Sequence, residues 1–185
     1  MRNLIITTIT VLALTLTTSI QAQETDVLMN YQISPFTELQ SELNTEIIII
    51  KSTRNNILVQ GSEESQREIE IIEEDGRLAV FLKDGSNEQP KRIVIETTGF
   101  NSLVSGGTGN YFVLGLEQES FNLLNPSANV LLSGTLESIY LSSENGHSDL
   151  SSIYTEKEWI SISESASYIE SKYSGKNLFA RNLNK

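Results

Sequence analysis

Two carboxyl groups return at the same place in a repeating pattern: Glu144 in LSSENGHSDL and Glu164 in ISISESASYIE. If their segments lie side by side like neighbouring strands, the two stand about 5 Å apart, close to the spacing of acid and nucleophile in a retaining glycosidase. Such a pair needs an apolar surround that lifts one pKa. Both glutamates fall in turn segments, so a solvated pair of like charges is the expectation, and a glycan hydrolase or lyase is only the alternative reading. The single histidine, His147, stands two residues before Asp149. No GxSxG elbow supplies a serine, so no Ser-His-Asp triad follows from the spacing and His147 reads as a turn residue. With one His and no Cys, zinc sites built from several such ligands are excluded. The segment GGTGNYFVL has the glycines of a calcium-binding nonapeptide, but Tyr111 stands where that motif needs Asp. No catalytic residue, metal or cofactor is expected.

The remaining candidates are binding residues. Ser105, Asn125, Ser143 and Ser163 share one column of the repeat. They are expected to form a hydrogen-bonded ladder that satisfies polar groups at each bend. A row of hydroxyls and amides is also a surface for a sugar chain. Tyr111, Tyr140 and Tyr168 are expected to alternate outward, where their rings could stack on sugars, whereas Phe100, Phe112, Phe121 and Trp159 fall at inward phases and read as core.

What must position these residues is the repeat itself. Apolar residues open successive copies at Phe100, Phe121, Ile139 and Trp159, with Leu178 opening a fifth, a period near 20 residues. Gly109, Ala128, Gly146 and Ala166 place a small residue at every turn. The same period extends backwards through Leu78, Ile57 and Phe36. Val, Ile, Thr, Tyr, Phe and Ser dominate the apolar runs and alternate with period two, as in Ile47 to Ile50 and TEKEWISISESASYIE, so no long helix is expected. Two strand-sized clusters per 20-residue period fit a coil that must stack on its neighbours to bury its inner face. The expected fold is all-β, a single-domain parallel β-helix over residues 36–185. Asp75 with Gly76 and Asp84 with Gly85 are hairpin signals, so an antiparallel sheet is the competing arrangement for residues 36–99.

Residues 1–22 read as a signal peptide: Arg2 is followed by the uncharged stretch Leu4 to Ile20, with Ala22 at the expected cut. Residues 23–35 read as a flexible lead-in. Without Cys there is no lipid anchor on an N-terminal cysteine. The exported chain is expected in the periplasm or outside the cell, with no stable membrane insertion after cleavage. A formal charge of −11 repels nucleic acid and anionic membranes. Its densest block, Glu63 to Asp75, reads as a solvated edge that discourages strand-to-strand aggregation.

From Phe36 to about Leu183 the layout resembles the auto-transporter adhesins with a head GIN domain. The resemblance lies in an exported start, the opening SPFTEL, the stretch ILVQGSEESQREIEIIEEDGRLAVFL, and repeats of the SGGTGNYFVL kind. NPSAN, SENGH and SESAS replace the Ser-Gly-rich form in later repeats. The resemblance implies a right-handed β-helix with no established enzymatic activity. A binding or adhesion module for a glycan or an envelope protein is expected, with a purely structural envelope protein as a further alternative.

Overall fold

The computed structural model describes residues 26–182. The expected signal peptide, residues 1–22, lies outside them. The elements are Val27–Gln32 (β1), Glu38–Ser41 (β2), Glu46–Lys51 (β3), Asn56–Gly61 (β4), Glu63–Arg67 (α1), Ile69–Glu74 (β5), Arg77–Leu82 (β6), Arg92–Thr97 (β7), Ser102–Ser105 (β8), Asn110–Asn125 (β9), Asn129–Ser143 (β10), His147–Ile162 (β11), Ser167–Ile169 (β12) and Lys172–Asn182 (β13). Among the described residues, α1 is too short to cross a membrane and no other helix is present.

All thirteen strands belong to one mixed sheet. The fold is all-β, but it is a curled, partly antiparallel half-barrel and not a right-handed parallel β-helix. The pairing directions of the N-terminal half overturn that expectation. β4 runs antiparallel to both β1 and β7, and β5 runs antiparallel to β6. The cause of the second reversal is local. Asp75 and Gly76 both have positive φ, 48° and 78°, the conformation that a two-residue hairpin turn demands and that Asp-Gly tolerates. β1 lies within the segment expected to be a flexible lead-in; it forms an edge strand on β4.

The long strands β9, β10 and β11 run parallel and in step. Asn129 is the partner of both Asn110 and His147, and Tyr140 of both Asn122 and Trp159. Each strand bends in its middle, where the pairing slips by one residue. At the bend of β10, Gly134 has φ 138°, and a Cβ there would lie 2.0 Å from the Leu116 carbonyl oxygen. Only glycine lets the two backbones approach so closely. The bend divides the sheet into two faces whose inner sides pack on one another. The first halves of these strands continue through β3, β7, β4 and β1, and the second halves through β8, β2, β6 and β5.

Between the faces lies one core cluster that includes Leu39, Ile47, Ile49, Leu78, Ile95, Leu103, Val113, Leu123, Ile139 and Ile160. Phe36, Phe100 and Phe121 form an aromatic column within it, with ring centroids 5.8 and 5.3 Å apart. On the outer side of the first face, Leu58, Val94, Ile48, Phe112 and Leu131 are consecutive cross-strand partners and half-buried. Phe112, expected in the core, belongs to this outer row. The row explains why the Ile47 to Ile50 run is apolar on both faces. α1 is capped by Ser62, whose Oγ accepts the Ser65 N–H at 3.1 Å, and is tied to β4 by the buried Gln66 side chain, which donates to the carbonyls of Val59 and Gly61.

Candidate functional site

The polar ladder expected from the repeat is present, but inside the protein. Ser105, Asn125 and Ser143 are buried. Asn125 is its centre: Oδ1 accepts from Ser105 Oγ at 3.1 Å and from the Ala128 N–H at 2.9 Å. Its Nδ2 donates to the carbonyls of Ala128 and His147 and to Ser148 Oγ, all at 3.0–3.1 Å. Ser143 Oγ donates to the Asn125 carbonyl at 2.8 Å. These bonds hold the tight turns in place, and a sugar outside cannot reach them. Ser163 is not the fourth rung. Ile162 is the partner of Ser143, and Ser163 bonds through its hydroxyl to the Glu144 carbonyl.

The three tyrosines also separate. Tyr111 is fully buried, its hydroxyl donating to the Ser41 carbonyl at 3.1 Å, and burial pushes its pKa up to about 12. Tyr168 packs partly buried against the core, one column along from Tyr111 through Val130 and Ser148, and burial raises its pKa. Neither presents a ring face to a ligand. Tyr140 does: it is 43% exposed, on the outer side of the second face.

Trp159, expected in the core, lies on that outer side. The apolar anchors Ile139 and Trp159 are 20 residues apart, but the true offset between β10 and β11 there is 19, so Glu158 takes the inward place opposite Ile139. A slip of one residue exchanges the two faces of a strand. The Trp159 indole then stacks on the Tyr140 ring, with centroids 4.4 Å apart and planes 5° from parallel.

On the side of Tyr140 away from Trp159, its cross-strand partner is Asn122, and the partner of Asn122 is Ser102. Two short polar side chains beside a large ring leave a notch about two strand spacings, roughly 10 Å, wide. It belongs to a cleft of about 480 Å³ lined by Ser102, Asn122, Leu124, Tyr140, Ser142, Trp159 and Ser161 among others. Leu124 is 41% exposed on the floor. Beyond Ser102 the same row continues to Glu38, which is paired with Arg77 at 2.6 Å. The site therefore offers an aromatic wall, an amide and hydroxyls, with some apolar floor. The period was the signal for this row; what hid Trp159 was the one-residue slip.

The carboxyl and imidazole candidates lie elsewhere. Glu144 and Glu164 are exposed on the successive turns after β10 and β11, without the burial that a general acid requires. His147 is half-buried on the outer side of the first face, and its Nδ1 lies 2.8 Å from Ser167 Oγ. That serine was not foreseen from the sequence. Asp149 turns instead to Ser151, accepting its N–H at 2.8 Å. That contact, ahead of the charge on His147, holds the Asp149 carboxyl below its usual range. A hydroxyl–imidazole pair without an orienting carboxylate is not a triad.

Residues 35–176 match the family described as "Putative auto-transporter adhesin, head GIN domain". No curated protein is a significant match. Solved structures with the same fold include a putative adhesin of Parabacteroides distasonis, TM-score 0.74 at 14% identity over 87% of this chain and 71% of that one. Others are a putative adhesin of Parabacteroides merdae, TM-score 0.66 at 12% identity over 85% and 77%, and one of Bacteroides fragilis, TM-score 0.58 at 13% identity over 85% and 94%. At these identities the likeness concerns the fold alone.

Proposed function

The chain belongs to the family of auto-transporter adhesins with a head GIN domain, and from that premise we propose that it is a non-enzymatic, adhesin-like protein of the cell envelope that holds a surface glycan against Tyr140. Family membership supports the surface-binding role. The observation that carries the ligand class is the Tyr140–Trp159 stack beside the notch over Asn122 and Ser102. A pyranose has one C–H-rich face and a rim of hydroxyls. It matches a wall that is aromatic and edges that donate and accept hydrogen bonds. The neighbouring Trp159 ring holds Tyr140 in place, so little side-chain entropy is lost when a sugar settles on it.

The test is retention on a glycan array by the wild-type chain and by Tyr140→Ala, with retained glycans assayed for cleavage. The expected result is retention by the wild type, its loss in the variant, and intact glycans. Equal retention by both proteins, or cleavage, would overturn this reading.

A further inference from the structure

Resting on that reading, we propose that the notch is built for an N-acetylated sugar: the ligand presents an N-acetylhexosamine whose acetamido methyl lies on Leu124 and Val104 while its amide meets Asn122. The two ends of the notch differ in kind. Toward the bend, the outer side chains next to Asn122 and Tyr140 are Ser120 and Ser138, which are cross-strand partners. Toward the turns, the place two residues beyond Asn122 belongs to Leu124, and its cross-strand partner on β8 is Val104. Leu123 and Leu103 fill the core, so by alternation Leu124 and Val104 stand on the outer side. There Leu124 is exposed and Val104 half-buried. A single exposed leucine needs no explanation. This pair, however, adjoins both an amide and the face of the Tyr140 ring away from Trp159, and its leucine lines the cleft.

The acetamido group is the sugar substituent that combines the same two surfaces, a methyl beside an amide. With a pyranose against the Tyr140 ring and over Asn122, a substituent that points along the strand toward the turns meets Leu124, about 7 Å from Asn122. Its methyl leaves water against Leu124 and Val104, and its N–H and carbonyl find the Asn122 amide and the Ser142 hydroxyl. A plain hexose places a hydroxyl there, which gives up water against an apolar pair without a partner in return. The opposite rim of the ring, rich in hydroxyls, faces Ser120 and Ser138. The asymmetry of the notch thus sets both the preferred sugar and its direction.

The sequence contains one tryptophan, and Trp159 stacks on Tyr140, so intrinsic fluorescence reports occupancy without a label. The experiment titrates the full chain with pairs of oligosaccharides matched in length and linkage: N-acetylglucosamine against glucose, and N-acetylgalactosamine against galactose. Both members of each pair are uncharged, so charges around the cleft bear on them alike. The variants are Leu124→Ser, which removes the apolar floor, Tyr140→Ala, which removes the wall, and Tyr154→Ala, an exposed tyrosine outside the cleft. Each is checked for an unchanged circular dichroism spectrum.

In at least one pair the N-acetylated chain is expected to bind about tenfold more tightly than its hexose counterpart, the worth of one buried methyl and one hydrogen bond. Leu124→Ser should weaken the N-acetylated chain about fivefold or more and leave the hexose chain little changed. Tyr140→Ala should weaken both, and Tyr154→Ala neither. If the hexose chains bind as tightly as their N-acetylated counterparts in both pairs, or if Leu124→Ser weakens both members equally, the N-acetyl preference is overturned while the glycan reading stands. If chains bind and Tyr140→Ala leaves them unaffected, the site is wrong. If no sugar binds, the glycan reading itself fails.

Discussion

Replacing Asn125 by alanine should destabilise the protein more than any substitution on the outer surface. Asn125 has no exposed surface and makes five hydrogen bonds through its side chain, to Ser105, to the N–H and carbonyl of Ala128, to the His147 carbonyl and to Ser148. The Ala128 carbonyl retains the His147 N–H at 2.9 Å, and Ser105 can turn toward the Leu124 carbonyl at 3.5 Å. The largest single loss is therefore at the buried Ala128 N–H, whose Asn125 acceptor disappears. One orphaned buried donor costs about 1–3 kcal/mol and each further lost bond about 1 kcal/mol, so the sum is about 3–5 kcal/mol. For a chain of this size that lowers Tm by about 6–20 °C. Urea unfolding followed by circular dichroism should give the same loss with an unchanged m-value. Ser163→Ala is the control: Ser163 is off the ladder and its hydroxyl bond is exposed, so its cost should stay below about 1 kcal/mol. A loss below about 1 kcal/mol for Asn125→Ala, or an equal loss for the two, would refute the ladder as the element that holds the turns.

Three further outcomes follow from the same structure. Gly134→Ala forces a Cβ into the Leu116 carbonyl at positive φ and should cost more than about 3 kcal/mol in urea unfolding, against about 1 kcal/mol for Gly85→Ala, which meets open space. Glu158 is buried, and among the described residues its Oε1 has no hydrogen-bond partner; Glu158→Met should raise stability by about 1–2 kcal/mol, and a lowered Tm would show that the carboxylate is satisfied. Arg54 donates to both Glu96 oxygens, at 2.6 and 3.1 Å, and holds that carboxyl below its ordinary range, with a smaller contribution from Asn56. A depressed carboxylate pKa stabilises the fold above its unfolded value and loses that contribution as pH falls through the folded one. The stability gap between wild type and Glu96→Gln should thus be full at neutral pH and close as the pH drops below about 4, and a gap that persists in acid would contradict the pairing.

The turns were legible in the sequence because they are built from residue type: Gly109, Ala128 and Gly146 are successive neighbours joined by the bonds Asn129 N to Gly109 O and His147 N to Ala128 O. The Ser105, Asn125 and Ser143 column was legible for the same reason, although its direction, into the core, was not. Strand direction was harder. Phe36, Ile57, Leu78 and Phe100 are all buried as expected, but inward and outward side chains alternate identically in parallel and antiparallel strands. Their spacing could not show that β4 runs backwards; the Asp75–Gly76 pair did carry a hairpin signal, and it forms the β5–β6 turn. The column proposed to bind ligand was misread at Trp159 because aligning by apolar type draws a tryptophan inward. The slipped register in β10 and β11, beside Gly134, instead leaves Glu158 inside and Trp159 outside, and apolar spacing alone does not show it.

Ligand is proposed to sit on the outer side of the second face, at Tyr140. The decisive measurement is amide hydrogen exchange of the chain with and without a saturating oligosaccharide. Added protection is expected only in the strand segments around Ser102, Asn122 to Leu124, and Tyr140 to Ser142. Protection centred instead on the outer row of Ile48, Phe112 and Leu131, or on the Glu144 and Glu164 turns alone, would contradict it.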